Sequence, residues 1–179
     1  MIEMEIKAFL RDEVCVRAKL SQCGCQWEDT QYQVDTIYVQ DKVLSDVNTP
    51  IFRIRRQGSL SILTLKILES DLDTATELEL EISDALTMQD ILYAIGFKEL
   101  VRVAKHRDTT HFDGFNICID KVENLGTFIE IERVESTMDN QQTVYDGIMH
   151  LLVSLGISKS DVTKKKYYKM ILDKQANNA

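Results

Sequence analysis

The chain has 179 residues and a formal net charge of −8, which suits one domain with a full apolar core and argues against broad binding to nucleic acid, for which a net basic face is needed. No apolar run approaches the roughly 18 residues of a membrane span, and the first ten residues carry Glu3 and Glu5 in place of a signal-peptide pattern. A soluble, cytoplasmic protein with neither nucleic acid nor membrane as partner is expected. The four cysteines, Cys15, Cys23, Cys25 and Cys118, lack zinc-ribbon spacing and read as reduced thiols in or near a core.

Ile2 to Phe9 alternates strictly between apolar and charged residues and predicts a strand. Asp12 to Gln22 predicts a helix stopped by Gly24. Gln31 to Val39 reads as a strand, and Lys42 to Thr49 as a polar loop ending at Pro50. Ile51 to Gln57 and Leu60 to Leu68 predict a hairpin around Gly58-Ser59, followed by an acidic loop, Glu69 to Asp73. Thr76 to Ile82 alternates again. Thr87 to Ile95 predicts a helix with Thr87 and Asp90 as its capping box and Gly96 as its stop. Leu100 to Arg107 and Phe115 to Asp120 predict a second hairpin, turning at Asp113-Gly114, and Thr127 to Val134 a further strand. Thr137 to Leu155 is the longest predicted helix and ends at Gly156; a short strand or coil and the segment Lys164 to Leu172 follow. Gln175 to Ala179 reads as a disordered tail after a single domain spanning residues 1–174. The endings Ile95-Gly96-Phe97 and Leu155-Gly156-Ile157 fit an internal duplication or two ordinary glycine caps. Many short antiparallel strands with three helices and no linker predict one α+β domain.

Side chains alternate faces along a strand, so parity sorts the charges. Glu3, Glu5 and Lys7 share a face, as do Arg53 and Arg55, Glu77, Glu79 and Glu81, Lys105 and Arg107, and Glu130 and Glu132. Asp120 lies opposite Phe115, Ile117 and Ile119, and Lys66 interrupts an apolar run. One solvated sheet face would explain any single strand. Several strands that each place like charges two residues apart need something more, because such charges repel. Divalent cations would neutralise the carboxylate pairs, and phosphate the Arg and Lys pairs; together these describe a metal–triphosphate complex. With the charged faces turned inward, helices must cover the apolar outer faces.

These residues resemble a known family. Glu3-Met4-Glu5-Ile6-Lys7 resembles the ExExK signature of the CYTH superfamily, the triphosphate tunnel metalloenzymes. Asp35-Thr36-Ile37-Tyr38 resembles its DxxY strand, Arg53-Ile54-Arg55 its RxR element, Leu63-Thr64-Leu65-Lys66 its LTxK strand, Glu77 to Glu81 its ExE strand and Lys105-His106-Arg107 its KxR element. The stretch Asp120 to Glu132 is similar to its DxVxxLGxFxExE block, the most specific match. Tyr167-Tyr168 stands at the C-terminal SY element, with lysine in place of the serine, and Thr74-Ala75-Thr76 lacks the basic residue often found before the ExE strand.

The resemblance implies a closed, eight-stranded antiparallel β-barrel tunnel with helices packed outside. It implies triphosphate binding by Lys7, Arg53, Arg55, Lys66, Lys105 and Arg107. Mg²⁺ or Mn²⁺ would be held by Glu3, Glu5, Glu130 and Glu132, with Glu79 and Glu81 assisting, and Glu3, Glu5, Lys7 and Asp120 would be catalytic. The pattern is most similar to class IV adenylyl cyclase, which implies conversion of ATP to 3′,5′-cyclic AMP and pyrophosphate. A tripolyphosphatase or thiamine triphosphatase on the same barrel is the alternative, and a polyphosphate- or nucleotide-binding module without turnover a third reading. A nucleoside triphosphate or another triphosphate is thus the expected partner, and the family resemblance allows a homodimer. Tyr38 and Phe115 are candidates to stack a base at the tunnel mouth, against an ordinary packing role. No histidine or cysteine nucleophile is required, and His106, His111 and His150 are given no role.

Overall fold

Strict alternation in the first strand demands two environments, one for Met4, Ile6 and Ala8 and another for Glu3, Glu5 and Lys7. A computed structural model, which describes residues 2–40, 50–68, 74–135 and 140–177, supplies both by rolling an antiparallel sheet into a ring. In chain order the elements are β1 (Ile2–Phe9), α1 (Glu13–Gln22), β2 (Gln31–Val39), β3 (Ile51–Gln57), β4 (Leu60–Leu68), β5 (Thr74–Glu81), α2 (Ala85–Ala94), β6 (Lys98–Phe112), β7 (Phe115–Val122), β8 (Gly126–Glu135), α3 (Gln141–Leu155), β9 (Val162–Thr163) and α4 (Tyr167–Asn177). The expected loops Lys42 to Thr49 and Glu69 to Asp73, and the proposed helix start at Thr137, lie outside the described residues.

The sheet runs β5-β4-β3-β2-β6-β7-β8-β1-β9, and β1 also pairs with β5. β1 therefore closes the ring. One of its edges pairs along the whole of β8, from Ile2↔Glu135 to Phe9↔Phe128. Its other edge is shared: Ile2 to Met4 meet β5, and Lys7 and Ala8 meet β9. The expected eight strands are the long ones, and the two-residue β9 is a ninth.

Helices cover much of the outside. Val16 and Leu20 of α1 and Val144, Ile148, Leu151, Leu152 and Leu155 of α3 pack on the outward side chains of β1, β7 and β8. Gly156, in the left-handed region at φ 92°, ends α3. Leu92 of α2 joins Tyr38, Ile54 and Phe97 on the other side of the ring. Leu78 and Leu80 of β5 point outward and stay exposed, so the helical cover stops short of that strand. α2 begins earlier than the proposed Thr87 box: Asp84 is the cap and accepts from the backbone N–H of Leu86 and Thr87. A carboxylate three residues before Thr87 satisfies orphan donors that a threonine inside the first turn does not reach.

The fourth helix is placed differently. Tyr167, Tyr168 and Met170 of α4 pack against Ile37, Val101, Val103, Val122 and Phe128. All five of these share the inward parity of the charged residues on their strands, so α4 fills one end of the barrel. The helix continues through Asn177, so Gln175 to Asn177 are helical where a disordered tail was expected; Lys174 fastens this part by donating to the Asn124 carbonyl at 2.6 Å.

No helix among the described residues is long and apolar enough to cross a membrane.

Ile148 of α3 is fully buried between helix and sheet. Ile148→Ala is expected to cost about 2–5 kcal/mol, read as a lower urea midpoint at an unchanged slope. A midpoint equal to the parent's would mean that α3 does not seal this side of the ring.

Candidate active site

Inward-facing side chains of β1 to β6 and β8, joined by Lys166, Tyr167 and Tyr168, surround a cavity of about 290 Å³. Most of its lining side chains are charged, and the strands contribute them through the two-residue spacing that alternation imposes.

The deepest group is Asp120 on β7, which has no exposed surface. Arg107 grips it with two bonds, Nε to Oδ1 at 2.7 Å and Nη2 to Oδ2 at 2.6 Å. Lys105 Nζ donates to Oδ2 at 2.8 Å and the Tyr167 hydroxyl at 3.1 Å. Arg107 also pairs with Glu130, whose other oxygen lies 2.8 Å from Lys7 Nζ. Lys7 reaches Glu5 at 3.0 Å and lies 4.2 Å from the Tyr167 ring centroid. Burial opposes ionisation of Glu130, but Lys7, Arg107 and Lys105 outweigh it and hold its carboxyl well below the usual range. Burial also opposes charge on Lys7, yet Glu130 and Glu5 raise its pKa above that of a free lysine.

Two further groups lie along β2 to β5. Arg55 forms a fork with Asp35, at 2.7 and 2.9 Å, and this holds the Asp35 carboxyl far below its ordinary pKa against the effect of burial. Arg53 donates to Glu79 at 2.9 Å and to Thr64 at 3.0 Å, while its Nε is buried without an acceptor among the described residues. Lys66 pairs with Glu77.

Beside these stands a carboxylate cluster. Glu3 and Glu5 on β1 and Glu132 on β8 each offer an oxygen, all within 4.8 Å of one another. The pairing Glu5↔Glu132 puts two of them directly opposite each other, an arrangement that repels unless a cation or a proton offsets it.

The CYTH domain model matches residues 1–167. The chain belongs to the CYTH family. This CYTH domain is 30% identical over 174 residues to a Methanocaldococcus jannaschii protein that bears the name "putative adenylate cyclase", covering 95% of this chain and 98% of that one. Its fold is similar to that of a Vibrio parahaemolyticus protein also named "putative adenylate cyclase" (TM-score 0.82, 14% identity, 96% and 98% of the two chains covered). It is also similar in fold to a Hippeastrum protein named "putative adenylyl cyclase", described as having a dominant triphosphatase activity (TM-score 0.60, 14% identity, 96% and 95% covered).

In this CYTH domain the expected residues Lys7, Arg53, Arg55, Lys66, Lys105, Arg107, Glu3, Glu5, Glu79, Glu130 and Glu132 line one cavity. Asp120 stands behind the wall and holds Lys105 and Arg107 in place. The acids are placed differently from expectation. Glu81 is exposed and does not line the cavity, whereas Glu77 does. The register explains it: Glu77 faces Lys66 and Glu79 faces Thr64, but Glu81 faces Ile62, past the cavity. Glu130 stands among the cations, both of its oxygens engaged, apart from the Glu3–Glu5–Glu132 cluster. Glu79 is half exposed and paired with Arg53. Tyr38 and Phe115 are buried in the outer packing and reach no mouth. None of the three histidines or four cysteines lines the cavity, and of the cysteines only Cys118 is fully buried. Lys166 lines the cavity and was not expected; the lysine standing where the family has serine was its signal in the sequence.

The cluster fits a hard divalent cation, which prefers carboxylate oxygens. Burial pushes the Glu3 carboxyl up, Lys66 opposes this, and Glu77, Glu5 and Glu132 add to it, leaving a pKa of about 9. Burial and Glu130 likewise raise Glu5, but Lys166, Lys7 and Lys66 prevail and hold it at about 2. Glu3 therefore carries a proton at neutral pH, and a cation taking its place must release it. Calorimetric titration with Mn²⁺ at pH 7.5, in buffers of differing ionisation enthalpy, is expected to show about one proton released per ion, with affinity rising about tenfold per pH unit until Glu3 is ionised near pH 9. Affinity independent of pH over this range would remove Glu3 from the metal set.

Proposed function

We propose that this CYTH domain is a metal-dependent enzyme acting on a triphosphate, and that its reaction is the conversion of ATP to 3′,5′-cyclic AMP and pyrophosphate. The observation that carries the reading is that a three-carboxylate cluster and a set of lysines and arginines share one cavity, with Glu5 belonging to both. The near full-length similarity to a protein named as an adenylate cyclase supports the choice of reaction.

In this reading Arg53, Arg55, Lys66, Lys105, Arg107 and Lys7 hold the phosphate chain by charge-assisted hydrogen bonds. Arg53 has a buried donor, Nε, with no acceptor among the described residues. The ribose 3′-oxygen bonds to the α-phosphorus as the bridge to the β-phosphorus breaks. Pyrophosphate takes the electron pair, the basic side chains absorb its charge, and the hydroxyl proton passes to the carboxylate side of the cavity. Mg²⁺ or Mn²⁺ on Glu3, Glu5 and Glu132 would supply Lewis acidity and lower the pKa of the hydroxyl. Asp120 keeps Lys105 and Arg107 aimed inward.

A second reading is hydrolysis of tripolyphosphate or thiamine triphosphate, and one observation favours the former. Neither aromatic residue expected to stack a base reaches the cavity, and a tripolyphosphatase, which places only phosphate and water, needs none. The carboxylate cluster speaks against a binding module without turnover.

Incubation with Mn²⁺ and, separately, ATP, tripolyphosphate and thiamine triphosphate is expected to give cyclic AMP and pyrophosphate from ATP. Orthophosphate without cyclic AMP would replace the cyclase by the hydrolase. Glu132→Gln is expected to lower metal-dependent turnover by about two orders of magnitude, with the melting temperature little changed. Arg53→Ala is expected to raise the KM for the triphosphate about tenfold; an unchanged KM would take Arg53 out of the phosphate clamp.

A further inference from the structure

Lys166 reaches the cavity from the segment between β9 and α4, outside the strand pattern that supplies the other cations. Its placement is built. The next two residues, Tyr167 and Tyr168, are buried in the plugged end of the barrel, and Tyr167 is bonded to Asp120 and lies against Lys7. The Lys166 side chain is only 24% exposed, and its ammonium lies 3.7 Å from Glu5 Oε1. This is ion-pair range but longer than a hydrogen bond, whereas Lys7 bonds to the same oxygen at 3.0 Å. Lys166 is thus the looser of two ammonium groups on a carboxylate that also belongs to the Glu3–Glu5–Glu132 cluster.

A divalent cation and Lys166 cannot both occupy Glu5 without repelling each other. A cation that also draws on Glu3 and Glu132 would outcompete a single ammonium for Glu5. The ammonium so displaced, on a flexible four-carbon stem with three donors, would remain in the cavity that the other lysines and arginines line. Building on the triphosphate reading above, we propose that Lys166 is a further phosphate-binding residue: it neutralises Glu5 in the metal-free protein and moves to a phosphate oxygen when metal and triphosphate bind together. The chain thereby gains a seventh basic group for the phosphate, from the C-terminal segment, at a place where the family has serine.

The test turns on opposite signs. In Lys166→Gln, calorimetry with Mn²⁺ alone is expected to show binding about threefold to tenfold tighter, because a competing cation has left Glu5. At saturating Mn²⁺, the bis-methylene analogue of tripolyphosphate, which cannot be cleaved at its bridges, is expected to bind about tenfold more weakly. Lys166→Arg is expected to keep the analogue within about threefold of the parent. A purely structural lysine would weaken both ligands or neither, and either result overturns the proposal. If the parent protein binds the analogue and Lys166→Gln binds it equally well, Lys166 alone is dismissed. If the parent binds no analogue, the triphosphate reading falls and takes this proposal with it.

Discussion

Asp120 accepts hydrogen bonds from Arg107, Lys105 and Tyr167 with no contact to solvent, and the remaining charges of the barrel are arranged around it. An isolated buried carboxylate is costly, and so is each buried cation. Here they are tolerable because the charges joined to Asp120 are shared: Arg107 continues to Glu130, Glu130 to Lys7, and Lys7 to Glu5. Such a chain holds its members in position before any ligand arrives, which is the condition for electrostatic catalysis. It also explains why the cations can crowd together, since each already has an anion of the protein beside it.

Apolar packing outside makes this interior affordable. The outward residues of β1, β7 and β8 meet α1 and α3, and those of β2 and β3 meet α2. The ring is thus a charged sheet wrapped in an apolar coat, an inversion of the usual sheet with one solvated face. The seam is β1, whose second edge is divided between β5 and β9, so both ends of the chain help to close the barrel.

Most of this was legible in the residues because alternation is a local signal. The strands and the faces of Glu3, Glu5, Lys7, Arg53, Arg55, Lys105 and Arg107 follow from parity alone. Parity says nothing of depth along a strand, and so Glu81 looked equivalent to Glu77 until the register put Ile62 opposite it. It is equally silent about partners across the ring. Glu130 and Glu132 share a face, yet one turns to Lys7 and Arg107 and the other joins Glu3 and Glu5. The plug formed by α4 was hidden for a different reason: its side chains are matched to inward apolar residues on four separate strands, a relation no local pattern contains.

A barrel stoppered at one end is a dead-end street. Traffic cannot pass through it, so whatever goes in must back out along the same lane, and the part that entered first leaves last. Because the stopper is tied to the charged wall through Tyr167, widening that lane from the closed end would mean breaking its hydrogen bond to Asp120 and its contact with Lys7. A molecule cleaved in such a vessel would leave as two fragments through one mouth, and the slower of them would set when the next could enter.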